Sequence, residues 1–179
     1  SALPAASTSV TSTAASGSIT VGSETLSGTY VSTCNTTAFA AVAGTRIFPS
    51  DIKSGKTVMV VTSDTTFSDE MFMFTDTSCS TPSAYTKNGN TSVTVGVAVD
   101  NGTRVTYNSS TYKVNAYTAV ARDNLTAALI GNITDIDLTV GEEFSTAGSG
   151  NLYMNLWSVT STTIETGEED RSTQPTAMD

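Results

Sequence analysis

Histidine is absent from this sequence of 179 residues, which removes the commonest general base in enzymes and the side chain that binds transition metals best. Basic residues are scarce as well, since 8 Lys and Arg stand against 17 Asp and Glu. A protein that binds nucleic acid needs a basic surface to neutralise phosphates. We therefore expect neither His-dependent catalysis nor binding to nucleic acid or to an anionic membrane.

Long apolar runs are also missing. No stretch approaches the roughly 20 apolar residues of a transmembrane helix, so we expect no transmembrane segment. No charged-then-apolar signal stands at position 1; if the protein is exported, we expect its signal to have been removed. Apolar residues make up 38% of the chain, enough to bury the core of one domain. We divide the chain into an extended N-terminal segment (1–21), a β domain (22–159) and an acidic C-terminal segment (160–179).

Only two cysteines occur, and both lie in polar surroundings: Cys34 in VSTCNTT and Cys79 in DTSCSTP. A buried free Cys normally has apolar neighbours, so a Cys34–Cys79 disulfide is favoured over two unrelated free thiols. Closing this loop would stabilise the fold by roughly 4 kcal/mol. We predict a secreted protein, extracellular or at the cell surface, on three grounds: the disulfide, the abundance of Ser and Thr, and the scarcity of Lys.

Alternation of apolar and polar residues recurs along the chain and predicts an all-β fold. The runs TVMVVT (57–62) and EMFMFT (70–75) predict neighbouring strands buried on both faces. SVTVGVAVDNGTRVTY predicts a hairpin at Asn101-Gly102, with its valines on one face, because Asn-Gly tolerates positive φ angles. With ITDIDLTV (133–140) and NLYMNLWSV (151–159), we count about eight mostly antiparallel strands, which suits a sandwich or a barrel.

One helical pattern interrupts the strands, in RDNLTAALIG. Asp123 or Asn124 can cap a helix there, and Leu125, Ala128 and Leu129 form an i, i+3, i+4 stripe. We predict one short helix near 123–130 that closes an end of the β structure.

Signs of catalysis are weak. Two Ser-x-x-Lys matches, Ser50 with Lys53 and Ser110 with Lys113, offer the pair that supports acyl transfer without His. That motif needs a helix to bring both side chains onto one face, whereas one match starts a strand and the other follows a proline. We therefore predict a non-enzymatic protein with no catalytic residues and no cofactor.

Acidic residues offer a calcium site at Asp135, Asp137, Glu142 and Glu143, since Ca²⁺ takes oxygen ligands. Their spacing matches no calcium loop, and alternate Asp residues on a strand are typical of a solvated face. Two Cys without His cannot complete a zinc shell. We predict no metal site.

Two short pieces of the chain resemble a known family. LSGTYVSTC (26–34) near the start, and NLYMN (151–155) with QPTAMD (174–179) at the end, are similar to small secreted bacterial barrel proteins of the lipocalin-like (calycin) kind. Gly28-Thr29-Tyr30 stands where a lipocalin-type first strand carries Gly-x-Trp, with Tyr in place of Trp. The resemblance implies an up-and-down barrel with an apolar ligand in its mouth.

The segment STSVTSTAASGSITV (7–21) cannot bury enough apolar surface to order itself. A strand added to a sheet edge is held mainly by main-chain hydrogen bonds, so small and β-branched residues suffice. The pairing residues would be Val10, Thr11, Thr13, Ile19 and Val21, with a change of phase near Gly17. We predict that the segment pairs with a neighbouring subunit, so that copies of the chain form a cell-surface filament.

One alternative to the filament subunit remains open. The segment folds back on its own barrel, and the protein is then a secreted lipocalin-like barrel that binds a small apolar ligand. A roomy barrel needs small inward-facing residues, whereas the runs at 57–62 and 70–75 are bulky and would tend to fill it. This comparison favours the filament subunit.

Overall fold

The architecture comes from a computed structural model, which describes residues 3–4 by their backbone and residues 11–99 and 102–167 in full. The helices in these ranges are α1 (Thr37–Val42) and α2 (Ala119–Leu129). The strands are β1 (Leu3–Pro4), β2 (Ile19–Val21), β3 (Glu24–Leu26), β4 (Thr29–Val31), β5 (Ser54–Ser63), β6 (Thr66–Phe74), β7 (Pro82–Val99), β8 (Gly102–Ala116), β9 (Glu143–Ala147), β10 (Leu152–Val159) and β11 (Thr163–Thr166).

Nine of these strands form one antiparallel sheet. Its order is β1-β11-β10-β8-β7-β6-β5-β4, and β9 pairs with β8 beside this path. The sheet curls until β1 lies next to β4, so the barrel is nearly closed. The strands β2 and β3 form a separate two-stranded ribbon. The all-β prediction is confirmed, and of the two architectures it allowed the barrel is observed.

The hairpin predicted around Asn101-Gly102 is confirmed, because β7 and β8 pair antiparallel up to Val99 and Gly102. Positions 100 and 101 themselves lie outside the described residues. The predicted valine face is only partly correct, since Val97 is 62% exposed. The pairing with β8 shifts between Val95 and Ala98, and such a bulge turns the following side chains to the other face.

The helix predicted near 123–130 is confirmed as α2, although it begins at Ala119. It starts earlier because the side chain of Thr118 caps it, accepting a hydrogen bond of 3.0 Å from the backbone N–H of Ala121. Its buried residues, Ala121, Leu125 and Leu129, cover one end of the barrel. No helix in the described ranges is long and apolar enough to span a bilayer.

The strand predicted at 133–140 does not form. Ile136 and Leu138 are buried under α2, as the alternation predicts, but Val140 is 39% exposed and the segment joins no sheet. Residues 111–115 of β8 pair with β9. Segment 133–140 forms no strand pairing, and its backbone hydrogen bonds are local ones, such as that from Ile133 to Leu129. The prediction was wrong because the alternation of apolar and polar residues indicates which side chains are buried, but does not indicate whether the backbone pairs with a neighbouring strand.

Two hydrophobic clusters fill the two ends of the barrel. The first surrounds the rings of Phe67, Tyr107 and Trp157. The second lies under α2 and includes Met73 and Val114.

Candidate ligand cavity inside the barrel

A cavity of about 440 Å³ occupies the space between the two hydrophobic clusters. Its walls come from the inner face of the sheet. Residues opposite one another in adjacent strands share a face, and Met59, Asp69 and Asn88 form such a row across β5, β6 and β7. All three line the cavity.

Aromatic rings form the wall at one end of the cavity. The ring centroids of Phe67 lie 4.9 Å from Tyr107 and 5.0 Å from Trp157, both with edge-to-face geometry. Trp157 is 1% exposed and is the only tryptophan of the sequence. Its Nε1 has no hydrogen-bond partner among the described residues. The side chains of Met59 and Met71 extend this apolar wall.

Polar groups line the same cavity beside these rings. The Asp69 carboxylate accepts a hydrogen bond of 3.1 Å from Asn90 Nδ2, and Asn155 Nδ2 donates to the Tyr107 hydroxyl at 3.4 Å. The small side chain of Thr57 completes the lining on β5. The cavity therefore offers aromatic faces, hydrogen-bonding groups and a carboxylate within one space.

The mouth of the cavity lies where the barrel is least complete. Among its lining residues, Ala38 and Thr166 are exposed to solvent. Ser32 and Asn35 lie on the α1 side of this opening, and Gly167 lies on the β11 side. In the described ranges, the two-residue strand β1 lies between β11 and β4.

The predicted disulfide is confirmed and anchors one side of this mouth. Cys34 and Cys79 are bonded, with Cα atoms 5.9 Å apart. Cys34 precedes Asn35, whose backbone pairs with Gly55 of β5. The ring of Phe39 packs against Gly55 so closely that no Cβ could be added there. The bond and this packing together hold α1 over the barrel.

Outside the barrel, Glu70 binds the N-terminal segment. Glu70 is 1% exposed and lies on the face of β6 opposite the cavity, next to Val58 and Lys87. The Thr11 hydroxyl lies 2.7 Å from both of its carboxylate oxygens. The Thr13 hydroxyl donates a hydrogen bond of 3.3 Å to the Glu70 carboxylate and accepts one of 2.7 Å from Lys87 Nζ. These contacts explain how so polar a segment is ordered.

The residues predicted to pair with a neighbouring subunit lie in different environments. Thr11 and Thr13 bind Glu70, as described above. Ile19 and Val21 form β2, pair with β3 of the same chain and are 2% and 4% exposed. Val10 lies outside the described residues. Gly17 has a φ of 66°, and this turn lies where the change of phase is expected. The filament function stays a prediction, and it requires the segment to leave these contacts.

The other candidate groups are spread over the surface. Ser110 Oγ donates to the carbonyl oxygen of Gly89 at 3.1 Å, while Lys113 forms an exposed ion pair of 3.1 Å with Glu143. Asp135 and Asp137 are exposed. Neither of these two contacts joins Ser110 to Lys113, as an acyl-transfer Ser-x-x-Lys pair would require.

Two tyrosines have raised pKa values. Burial, followed by a short hydrogen bond to Glu70, raises the pKa of Tyr85 far above its usual value of 10.0. Burial alone raises the pKa of Tyr112 from 10.0 to about 12. The Tyr112 hydroxyl is buried and has no hydrogen-bond partner among the described residues.

Raising the pH from 9 to 11 is therefore expected to destabilise the protein. Unfolded tyrosine loses its proton near pH 10, whereas folded Tyr112 keeps its proton up to about 12. The protonated Tyr112 side chain therefore makes its full contribution to the free energy of unfolding below pH 10, and this contribution is lost as the pH rises towards 12. At pH 11 the free energy of unfolding is expected to be about 1 kcal/mol lower because of Tyr112. Urea unfolding of wild type and Tyr112→Phe at both pH values measures it; an equal pH dependence in both proteins would contradict the assignment.

A second depression, of about 550 Å³, lies between α2 and the loop at 44–48. It is outside the barrel, and Arg46, Ala127 and Asn132 on its rim are exposed. A ligand there would stay largely hydrated, whereas small-molecule sites usually bury most of the ligand surface. The interior cavity is therefore the stronger candidate, although it is smaller.

Comparison with known proteins gives no further guide to this cavity. No protein-family profile matches the sequence, and no curated protein is significantly similar to it.

Proposed function

We propose that the protein is a secreted, lipocalin-like barrel that holds one small molecule in its interior. The observation that supports this proposal is the cavity of about 440 Å³, which lies in the range of small-molecule sites, about 300–1,000 Å³. An eight-stranded barrel is just wide enough to hold one small ligand. The proposal needs no catalytic group.

The bulky strands do not oppose this proposal, because their largest side chains are divided between the two faces. In β5, Met59 and Val61 belong to the inner cluster, whereas Val58 and Val60 lie on the opposite face. The inner position Thr57 is small. Space therefore remains inside the barrel.

The disulfide supports the proposed location outside the cell. Disulfides persist in oxidising compartments, and the Cys34–Cys79 bond fits such a location. The barrel is compatible with the lipocalin-like family, to which we assign it as part of the same proposal.

Binding of the neutral fluorophore N-phenyl-1-naphthylamine tests the function. The emission of Trp157 reports on the cavity directly, because this residue lines the cavity and no other tryptophan contributes. We expect the fluorophore to quench Trp157 and to gain emission by energy transfer. Thr57→Phe, which fills the cavity, should weaken binding at least about tenfold, or by 1.4 kcal/mol.

The matched control is Thr25→Phe, because Thr25 is an exposed position of β3 and does not line the cavity. This variant should bind the fluorophore like wild type. Equal binding by all three proteins would place the fluorophore outside the cavity, and binding by none would argue against a ligand-binding barrel.

A further inference from the structure

An exposed asparagine lies in the turn after α2, and we propose that this residue, Asn132, is the N-glycosylation site of the secreted protein. Asn132-Ile133-Thr134 matches the acceptor pattern Asn-x-Ser/Thr. Asn132 and Thr134 are both exposed, so the amide and the hydroxyl of the pattern lie at the surface. The modification requires passage through a secretory pathway. The inference therefore rests on the proposed secretion and not on ligand binding.

The turn holds its shape without help from the Asn132 side chain. The carbonyl oxygen of Leu129 accepts hydrogen bonds of 2.9 Å from the backbone N–H groups of both Asn132 and Ile133. The side chain of Ile133 packs against the hydrophobic cluster under α2. These contacts use main-chain atoms and a neighbouring side chain. A large group added to the Asn132 amide can therefore extend into solvent and leave the fold unchanged.

Five other asparagines match the same pattern: Asn35, Asn90, Asn101, Asn108 and Asn124. Asn101 lies outside the described residues, and the other four are buried or half-buried. Asn90 is 3% exposed, and its Nδ2 donates a hydrogen bond of 3.1 Å to Asp69. A glycan there would bring many hydroxyl groups into the interior, where burial of polar groups without partners is costly.

The three half-buried asparagines use their amide groups inside the fold. Asn108 Nδ2, the atom that would carry the sugar, donates to the carbonyl oxygen of Gly150 at 3.3 Å. Asn124 Oδ1 accepts a hydrogen bond of 2.8 Å from the backbone N–H of Ser50. Asn35 Oδ1 accepts one of 2.9 Å from the backbone N–H of Ala38. Of the matching residues that the structure describes, Asn132 is thus the best acceptor.

The surface beside Asn132 leaves room for the first sugars. Asn132 lies on the rim of the depression of about 550 Å³ between α2 and the loop at 44–48, where Arg46, Ile47 and Phe48 also contribute. A sugar has hydroxyl groups and an apolar C–H face, so it is compatible with guanidinium, aliphatic and aromatic side chains. An attached glycan stays hydrated in such an open depression, whereas a freely diffusing ligand usually needs deeper burial.

The sugar donor for this reaction is a lipid-linked oligosaccharide. Asn132 Nδ2 forms a bond to the anomeric carbon of the first sugar, and the bond from that carbon to the pyrophosphate of the donor breaks. The lipid pyrophosphate leaves, and one amide proton passes to a base of the transferase. The step needs no oxidant or reductant.

Glycopeptide mapping of the full chain, expressed behind a cleavable signal peptide in a eukaryotic cell, tests the inference. Peptide N-glycosidase in water labelled with heavy oxygen converts each glycosylated Asn to a labelled Asp. We expect the label at position 132 in most molecules. Asn132→Gln and Thr134→Ala should each remove it. Thr139→Ala makes the same change at an exposed Thr of this segment outside any acceptor pattern, and it should keep the label.

The wild-type map decides the question whether or not a variant folds, because chain from the cells and from the medium is analysed together. Position 132 without label would overturn the inference, as would label that persists at this position in Thr134→Ala. Fluorophore binding to Trp157 is measured separately. Label at position 132 in a protein that binds no fluorophore would support the glycan site while contradicting the ligand-binding function, and the reverse result would do the opposite.

Discussion

Replacing Cys34 and Cys79 with serine is expected to lower the free energy of unfolding by about 4 kcal/mol. The bond joins residues that are 45 positions apart, and it therefore restricts a long loop of the unfolded chain. For a chain of this length the loss corresponds to a fall in melting temperature of roughly 8–16 °C. Thermal and urea unfolding of wild type and the double variant measure the difference.

Wild type in reductant serves as the second comparison, because it lacks the bond and keeps both sulfur atoms. Its midpoint should move to that of the double variant. If the midpoints of all three samples coincide, or if two thiols of the native protein react with an alkylating reagent before reduction, the bond does not stabilise this fold.

Removing the Glu70 side chain is expected to have the second large effect. Glu70→Ala leaves Thr11, Thr13 and Tyr85 without the buried acceptor they share. Breaking a buried network of charged and polar groups typically costs about 3 kcal/mol or more. The N-terminal segment should also detach, which hydrogen exchange of residues 11–18 detects.

Glu142→Ala is the matched control, since Glu142 is exposed and the same atoms are removed. Equal stability and equal exchange in the two variants would show that Glu70 does not hold the segment. The Glu70 variant also tests the filament prediction. If strand addition to a neighbour is correct, a released segment should raise the tendency to polymerise; light scattering that stays at the wild-type level would count against it.

Local patterns predicted those features that depend on residues close together in the chain. The hairpin at Asn101-Gly102, the strand at 151–159 and the helix near 123–130 are each encoded by spacing within a short window. The disulfide was predictable because two cysteines allow one pairing. By contrast, α1 was missed because six residues with one buried side chain, Phe39, show no helical stripe.

The cavity could not be predicted because it depends on strand register. Thr57, Asp69 and Asn88 come from three strands, and each looks like an ordinary polar residue in its own segment. A shift of one residue in any pairing would move such side chains to the other face. The only signal for the network outside the barrel is a Glu that begins the apolar run EMFMFT. That residue, Glu70, proves to be buried.

The most direct test of ligand binding in the cavity is the indole ¹H–¹⁵N resonance of Trp157, recorded during addition of N-phenyl-1-naphthylamine. The protein has one tryptophan, so the spectrum contains one indole signal. A bound ligand should shift this signal and give intermolecular nuclear Overhauser contacts to the methyl groups of Met59 and Met71, which line the same cavity. An indole signal that stays in place at saturating probe, with no contact to either methionine, would contradict a ligand-binding barrel.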